Sequence, residues 1–289
     1  MCNLEKSVFS LSVIIPNYNK AKYLRACLDS VLKQTFLPNE VIIVDDCSTD
    51  ESRSIISEYA SRYANVKPLF LQKNGGVSNA RNRGLDMATS KYVTYIDSDD
   101  FYYNKDKLKN EMTLIRKYAS LGKDIVAYSV FAYVDMEGNL MPGRGNRKWS
   151  KVEFIKGKAL VELVSMVKQS RIPRDYCIKK NVIQSVGAYS FYKNFYEDLD
   201  LLMRIAENGI EYYCTYEYGT AYRQTVEGLS KKTKSEHIST VEEIKNTYYQ
   251  KLSSTEKLEC NLRMSIHKIY IAIKTKILIP IRDYLRKVL

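Results

Sequence analysis

The stretch YVTYIDSDD (residues 92–100) sets the architecture that the rest of the chain must satisfy, because an apolar run ends there in a cluster of carboxylates. Its first five residues are aromatic or β-branched, as in a buried strand, and Asp97, Asp99 and Asp100 follow within four positions. A strand interior cannot hold that much charge, so we expect the acids at the carboxyl edge of a sheet, where open α/β sheets bind ligands. The acids then either hold a hard divalent cation or form an acidic turn that caps the next helix.

Upstream of this stretch, strand and helix patterns alternate. The predicted strands are LSVIIP (11–16), EVIIVDD (40–46), VKPLFL (66–71) and YVTYI (92–96), and the predicted helices cover 20–33, a segment beginning at Asp50, and 77–88. Pro68 marks the third strand as an edge or irregular strand. The alternation predicts an α/β fold with a Rossmann-like, mostly parallel sheet, right-handed crossovers and flanking helices.

Beyond Asp100 the alternation fades. The patterns predict a helix near 105–119, a strand at 124–134, a hairpin through 137–139, a loop at 142–151, helices at 156–168 and 197–208, and a strand at 211–218. From His237 onward the patterns are helical, so we expect a helical carboxyl-terminal extension.

Composition narrows the class of protein. The chain has 289 residues, of which 45% are hydrophobic and 27% charged, values that are ordinary for a globular protein. No apolar segment approaches the length of a membrane span or a signal sequence. The six cysteines form no CxxC pair and read as reduced thiols of a cytoplasmic protein. The net charge of +12 suits an anionic substrate or surface.

Three further motifs are predicted to meet the acids at the same sheet edge. Pro16-Asn17-Tyr18-Asn19 follows strand one, so Tyr18 either stacks on a base or packs in a surface turn. Asp45-Asp46 ends strand two, where a carboxylate either accepts from a base or ribose or caps the next helix. GGVSNARNRGL (75–85) opens a helix at a glycine turn, which either binds diphosphate through amides and arginines or is a surface helix with solvated arginines.

Taken in order, VIIPNYN, VDDCSTD, NGGVSNARNRG and YIDSDD resemble the amino-terminal half of glycosyltransferase family 2, closely over about 11–100 and loosely to about 230. That resemblance implies the GT-A fold and inverting transfer from a nucleotide-diphosphate sugar. It implies Mn²⁺ or Mg²⁺ as cofactor, with Asp99 and Asp97 as metal ligands. The further residues that it implies in nucleotide-sugar binding are Pro16, Tyr18, Asn19, Asp45, Asp46, Gly76, Asn79, Arg81, Asp97, Ser98, Glu197 and Arg223.

The resemblance also supplies a catalytic base. FYEDLDLLMR (195–204) is similar to the family's Glu-Asp motif, which makes Asp198 the base that takes the acceptor's hydroxyl proton. From the residues alone, Glu197 and Asp198 are better explained as helix N-terminal acids favoured by the helix dipole. One departure concerns 222–230, where many members carry a metal-binding histidine. No histidine lies between Cys214 and Ser230 here, so Arg223, Gln224 and Ser230 are the residues expected near the diphosphate.

The carboxyl-terminal tail, residues 265–289, carries six basic side chains and one acidic, a net charge of +5. On a helix, one stripe would hold Ile266, Tyr270, Ile273, Ile277, Ile281, Tyr284 and Val288. This pattern is typical of an interfacial helix on an anionic membrane, although a helix docked on the catalytic domain would show the same stripe.

These observations predict a metal-dependent inverting enzyme that moves a hexose or N-acetylhexosamine, from a UDP-sugar, to a hydroxyl of a saccharide or lipid-linked saccharide in bacterial surface polysaccharide synthesis. The predicted domains are 1–234, catalytic, with a donor part at about 1–103 and an acceptor part at about 104–234, and the extension 235–289. We expect it in the cytoplasm, peripheral on the membrane, without a nucleic-acid partner. The alternatives are a nucleotidyltransferase-like sugar-nucleotide enzyme, disfavoured because PNYNK replaces a glycine-rich loop, and a non-catalytic nucleotide-sugar-binding protein.

Overall fold

A single sheet forms the centre of the computed structural model, which describes residues 8–141, 159–165, 175–190, 196–224, 234–273 and 276. The eight strands within these residues are β1 (Leu11–Asn17), β2 (Glu40–Asp45), β3 (Val66–Phe70), β4 (Tyr92–Tyr95), β5 (Phe101–Tyr102), β6 (Ile125–Val134), β7 (Tyr176–Lys179) and β8 (Glu211–Arg223). The helices described are α1 (Ala21–Leu32), α2 (Ser52–Arg62), α3 (Val77–Met87), α4 (Lys107–Ala119), α5 (Ala159–Ser165), α6 (Lys180–Ser185), α7 (Glu197–Glu207), α8 (Lys234–Lys251) and α9 (Ser254–Ile273).

The sheet confirms the predicted mostly parallel α/β architecture. Its order is β3-β2-β1-β4-β7-β6-β8-β5, and the first four strands pair in parallel. Strand β7 runs antiparallel to both β4 and β6, and β5 runs antiparallel to β8, whereas β6 and β8 are parallel to each other. Strand β3 is the edge strand that Pro68 predicted. The carboxyl ends of β1, β2 and β4 therefore lie together at one edge.

Helices cover both faces of the sheet, which is why its central strands are apolar on both sides. On one face, Ile14, Ile42 and Val44 belong to a core that includes residues of α3, α5, α7, α8 and α9. On the other face, Val13 and Ile43 belong to a core with residues of α1, α2 and α4. The alternation of these neighbours along β1 and β2 is the period of two that a strand imposes.

The first strand was predicted to end at Pro16, but the observed strand continues for one more residue. Pro16 lies within β1 opposite Val44, and β1 continues to Asn17. The pairing of β1 with β4 stops at Ile14 and Tyr95. Strand β4 no longer pairs with β1 at the level of Pro16. The N–H that proline lacks therefore costs no hydrogen bond between β1 and β4.

The second half of the sheet differs from the sequence prediction in length and in two short strands. Strand β8 runs from Glu211 to Arg223, five residues beyond the predicted end, alongside β6. The short strands β5 and β7 and the helix α6 were not predicted. Of the predicted helix at 156–168, the described part is α5, while Ser230, the whole predicted loop at 142–151, residues 274–275 and the tail beyond 276 lie outside the described residues.

The carboxyl-terminal helices share the core of the sheet. Tyr248 of α8 and Cys260 of α9 are buried in the same cluster as Ile14. The hydroxyl of Tyr248 donates to Asp200 at 3.1 Å, which connects α8 to the start of α7. The five cysteines in the described residues carry free thiols, and no described helix is long and apolar enough to cross a bilayer.

The buried carboxylate of Glu40, at the opposite edge of the sheet where β2 begins, makes the stability of the fold depend on pH. Burial would raise the pKa of Glu40, but hydrogen bonds from Lys67, Ser12 and Thr89 lower it to about 2. These bonds join β2 to β1, to β3 and to the end of α3. Because the folded pKa lies below that of the unfolded chain, Glu40 stabilises the fold above about pH 4.5 and loses this contribution as the pH falls toward 2.

Replacing Glu40 with glutamine should remove this contribution. We expect a loss of about 2–3 kcal/mol in the free energy of unfolding at pH 7, and a shallower fall of stability between pH 4.5 and 2. Urea denaturation of both proteins across this pH range measures the difference. Glu51→Gln, at an exposed position, is the control, and equal pH slopes for the two variants would contradict the assignment.

Candidate active site

Hydrogen bonds connect the turn after β1 to the loop after β2. The Nδ2 atom of Asn17 donates to Asp45 at 3.0 Å and to the hydroxyl of Ser48 at 3.2 Å. Asn19 has a left-handed backbone (φ 51°), and its Oδ1 accepts from the amide of Thr49 at 2.8 Å. Between them Tyr18 is 45% exposed at the sheet edge. The tyrosine ring is thus free for the stacking predicted for it, and Pro16 lies buried beneath the turn.

The two carboxylates at the end of β2 are both buried, and both accept hydrogen bonds from within the protein. Asp45 accepts from Arg53 at 2.8 Å and from the amide of Ser48 at 3.1 Å. Asp46 accepts from the amides of Gly75 and Gly76, at 2.9 and 2.7 Å. Asp45 thereby shapes the loop after β2, and Asp46 holds the glycine turn. Whether either also binds a base or ribose stays a prediction.

The glycine turn requires glycine at two positions for different reasons. Gly76 adopts φ 85°, a left-handed conformation that favours glycine, directly before α3. A Cβ on Gly75 would lie 2.4 Å from the Nδ2 atom of Asn79, so glycine there lets this side chain fold back over the turn. Asn79 is therefore at the turn, where the sequence predicted it.

Arg81 connects the acidic strand end to the helix that carries the predicted base. Its Nη2 donates to Asp97 Oδ1 at 2.8 Å and its Nη1 to Glu197 Oε1 at 2.6 Å, and its guanidinium lies 5.1 Å from the ring centroid of Tyr189. Burial disfavours the charge of Arg81, but the nearby carboxylates outweigh it and raise its pKa well above the ordinary value. Arg81 is 8% exposed, so its donor contact stays a prediction while its bridging role is observed.

The three acids after β4 have three different partners. Asp97 pairs with Arg81, whereas Asp99 Oδ2 lies 2.8 Å from the Nζ atom of Lys20. Asp100 is buried and accepts from the backbone amide of Arg223 at 2.7 Å. Burial and the neighbouring Asp99 and Asp97 raise the pKa of Asp100 well above its ordinary value. Ser98, between them, is also buried.

Arg223 lies at the predicted edge, but its guanidinium binds the protein backbone. It donates to the carbonyl oxygens of Asp99 at 2.8 Å and Met136 at 2.5 Å. Its flat faces lie near the rings of Tyr23 and Phe101, at 4.8 and 5.3 Å. In this arrangement Arg223 holds the backbone of the acidic loop, and the diphosphate contact expected of it stays a prediction.

Glu197 and Asp198 begin helix α7. Glu197 binds Arg81, and Asp198 Oδ1 accepts from the amide of Leu199 at 2.8 Å. Tyr196, just before them, has a left-handed backbone with φ 66°. Both carboxylates are therefore placed as helix N-terminal acids, and one of them is also tied to Asp97. A base role for Asp198 is compatible with this position and remains a prediction.

The carboxylates suit a divalent cation that takes its other ligands from water or from substrate phosphates. In the described residues no three His, Cys, Asp or Glu side chains converge as a metal-binding set. Mg²⁺ in phosphate-binding sites is held by one or two carboxylates together with substrate phosphates, not by a full protein cage. Asp99 and Asp97 at one strand end meet that requirement, so the residues fit the predicted cofactor.

Several residues of this edge were not found from the sequence. Lys20 and Arg53 supply the cations for Asp99 and Asp45, and Tyr189 packs against Arg81. Asn82 fixes Tyr189 by two hydrogen bonds to its backbone, at 2.8 and 2.9 Å. Lys20 had a signal, since it directly follows the PNYN turn. Tyr189 had none, because it lies 107 residues from Asn82.

A mostly parallel α/β sheet whose strand ends carry a helix-opening glycine turn and buried carboxylates has the general arrangement at which open α/β sheets bind ligands. A sequence profile described as Glycosyl transferase family 2 matches residues 12–171, more than half of the chain. The chain therefore belongs to glycosyl transferase family 2, which confirms the resemblance predicted from the four motifs.

Curated relatives match less than half of the chain. The uncharacterized glycosyltransferase YibD of Escherichia coli is 47% identical over 97 residues, which are 34% of this chain and 28% of YibD. Glycosyltransferase GlyG of Streptococcus pneumoniae is 35% identical over 131 residues, 45% of this chain and 42% of GlyG. The poly(ribitol-phosphate) β-N-acetylglucosaminyltransferase TarS of Staphylococcus aureus is 40% identical over 116 residues, 39% of this chain and 20% of TarS. The matches thus span a fifth to under half of these relatives' lengths.

A solved structure extends the similarity of the fold to most of the chain. Residues 1–349 of TarS, in complex with UDP, superpose with a TM-score of 0.64 at 22% identity, over 92% of this chain and 72% of that one. A mannosyltransferase of Pyrobaculum calidifontis, in complex with GDP-Man and Mn²⁺, gives 0.53 at 20% identity, over 71% of this chain and 54% of that one. At such identities the comparison shows the fold, and it confirms the predicted GT-A type.

Replacing Arg81 with methionine tests the bridge. The change leaves Asp97 and Glu197 facing each other without a buried cation, so we expect a loss of about 3–5 kcal/mol in the free energy of unfolding. Urea denaturation at pH 7 measures it. Arg83→Met, at an exposed position of the same helix, should change stability by about 0.5 kcal/mol or less. Similar stabilities for the two variants would show that Arg81 does not join the two segments.

Proposed function

We propose that this protein transfers a hexose or N-acetylhexosamine from a nucleotide-diphosphate sugar, namely a UDP-sugar, to a hydroxyl of a saccharide or lipid-linked saccharide. The observation that carries the proposal is the bridge from Asp97 through Arg81 to Glu197. It brings the strand end expected to hold the donor next to the helix that bears Asp198. Family membership and UDP-bound and UDP-GlcNAc-bound structures of TarS support the choice of donor.

In the proposed reaction, Asp198 acts on the acceptor. One of its carboxylate oxygens takes the proton of the acceptor hydroxyl, and the hydroxyl oxygen then attacks the anomeric carbon opposite the departing diphosphate. The second oxygen is held by the amide of Leu199 at 2.8 Å, which keeps the carboxylate at the helix end. Direct displacement from one face inverts the anomeric configuration.

The donor would lie along the edge, with its base beside Tyr18 and its diphosphate over the glycine turn. Exposed Tyr18 can stack on a base, and the start of α3 favours an anion. Asp99 and Asp97 would hold Mn²⁺ or Mg²⁺ together with the phosphate oxygens. When bound, the cation would offset the charge that develops on the leaving diphosphate.

Two substitutions separate donor binding from turnover. Asp99→Ala should abolish the increase in UDP affinity that Mn²⁺ produces, because the phosphate-bound cation loses its carboxylate. Asp198→Asn should leave UDP affinity within about twofold while lowering turnover by about 10²–10⁴, the usual contribution of a general base. Calorimetry with UDP, with and without Mn²⁺, and release of UDP from a UDP-sugar measure the two effects.

Two further measurements identify the donor and distinguish an enzyme from a non-catalytic binding protein. A thermal-shift screen of nucleotide sugars identifies the donor, since a ligand stabilises the fold that binds it. Stabilisation without any transfer or hydrolysis would favour a non-catalytic binding protein. Full turnover by Asp198→Asn would rule out its role as base.

We further propose that the enzyme works at the cytoplasmic face of a membrane, peripheral on its anionic surface. Helix α9 has five large apolar side chains on one face, each between 45% and 71% exposed: Leu258, Leu262, Ile266, Ile269 and Ile273. Its opposite face packs on the protein through Cys260 and Met264. The following residues, 274–289, hold five basic side chains and one acidic. An apolar stripe beside excess positive charge is the pattern of a helix bound to an anionic leaflet.

Vesicle sedimentation tests this surface. The protein should bind phosphatidylglycerol-containing vesicles and leave phosphatidylcholine vesicles unbound. Replacing Leu262 and Ile266 together with glutamate should weaken binding by about tenfold or more. The control replaces Leu37 and Leu121, each 65% exposed and outside α9, with glutamate. If the α9 variant bound vesicles normally, or changed only the oligomeric state, the stripe would serve another surface.

A further inference from the structure

Lys20 pairs with the carboxylate to which the proposed function assigns the metal. It directly follows the PNYN turn and precedes α1. Its Nζ lies 2.8 Å from Asp99 Oδ2, and the two side chains are 24% and 21% exposed. A partly exposed ion pair contributes little net stability, because both charges are also solvated by water. The pair can therefore open without disturbing the fold.

The arginines of this edge have partners that Lys20 lacks. Arg81 is buried between Asp97 and Glu197, and Arg223 donates to backbone carbonyls between two rings. Moving either guanidinium would break several bonds. Lys20 has one carboxylate oxygen as its ion-pair partner and a flexible four-carbon stem. Among these three cations, Lys20 is the one able to change partner.

A divalent cation and the Lys20 ammonium compete for the same oxygen. Mg²⁺ binds carboxylate oxygens at about 2.0–2.1 Å, so a metal on Asp99 Oδ2 would lie within a few ångströms of Nζ and repel it. Phosphates held by such a metal would also lie near Nζ, so the ammonium could contact them. Resting on the proposed function, we propose that Lys20 is the counterion of Asp99 in the donor-free protein and that it moves to the donor's diphosphate when the metal–donor complex binds.

This exchange gives Lys20 opposite effects on two ligands. Without nucleotide, the ammonium opposes the metal, because it must give up Asp99 with no new partner. With nucleotide, the released ammonium makes a charge-assisted contact with a phosphate oxygen. Lys20 is thus a positioning residue that favours binding of the metal together with the donor over binding of the metal alone.

The test uses Lys20→Met with the full chain and needs no turnover. Electron paramagnetic resonance titration with Mn²⁺ alone should show affinity increased by up to about fivefold, the range of exposed ion pairs. Calorimetry with UDP at saturating Mn²⁺ should show affinity reduced by about tenfold or more, the range of bonds between charged groups. Lys20→Arg, which keeps the charge, should retain more than half of the UDP binding energy that the methionine variant loses.

The control is Lys22→Met, which removes the same charge from an exposed lysine two residues away, beside the ring of Tyr23. If Lys20→Met matched this control in both titrations while Asp99→Asn abolished Mn²⁺ binding, the exchange would be refuted and the metal site would stand. Reduced Mn²⁺ affinity in Lys20→Met would refute competition as well. If Asp99→Asn bound Mn²⁺ normally, the proposed metal site itself would be wrong, and the exchange with it.

Discussion

The buried guanidinium of Arg81 is the contact on which the candidate active site depends. It joins Asp97, just after β4 and 16 residues along the chain, to Glu197, at the start of α7 and 116 residues along the chain. A lysine could not replace it, because one ammonium lacks the planar fork that reaches two carboxylates at once. These two hydrogen bonds hold the start of α7, from the second half of the chain, at the sheet edge formed by the first half.

Each of the three carboxylates after β4 has its own partner at this edge. Three carboxylates within four positions would repel one another if they shared one environment. The fold separates them: Asp97 faces a buried arginine, Asp99 a partly exposed lysine, and Asp100 a backbone amide of β8. The acids therefore differ in how readily their partners can be exchanged. The most accessible partner belongs to Asp99, the acid to which family resemblance assigns the metal.

The early end of β4 leaves the last residues of β1 unpaired on that side. Strand β4 has only four residues, and its pairing with β1 stops at Ile14. Pro16 can therefore lie inside a central strand, and the turn with Tyr18 projects beyond the sheet. The sequence predicted the acids at a strand end correctly, since charge cannot be buried in a strand interior without partners. It placed the end of β1 one residue too early because proline usually ends a paired strand.

Features that depend on neighbouring residues could be predicted from the sequence, whereas features that depend on distant residues could not. The four parallel strands and their crossover helices follow from apolar periodicity, and the family follows from four short motifs in order. The strands β5 and β7, of two and four residues, were missed because such lengths carry no readable period. The partners of Arg223 were missed because they depend on β8 running beside β6 to residue 223.

By itself, then, the amino-acid order determined that the four motifs of the first hundred residues lie at the strand ends, because neighbouring residues show where each strand stops. Only the tertiary structure decided what those side chains bind: Arg81 two acids, Asp46 two glycine amides, Lys20 the middle acid of the loop. The physical reason is that a hydrogen bond depends on positions in space, and partners separated by 16 to 116 residues meet only when the strands and helices between them have packed.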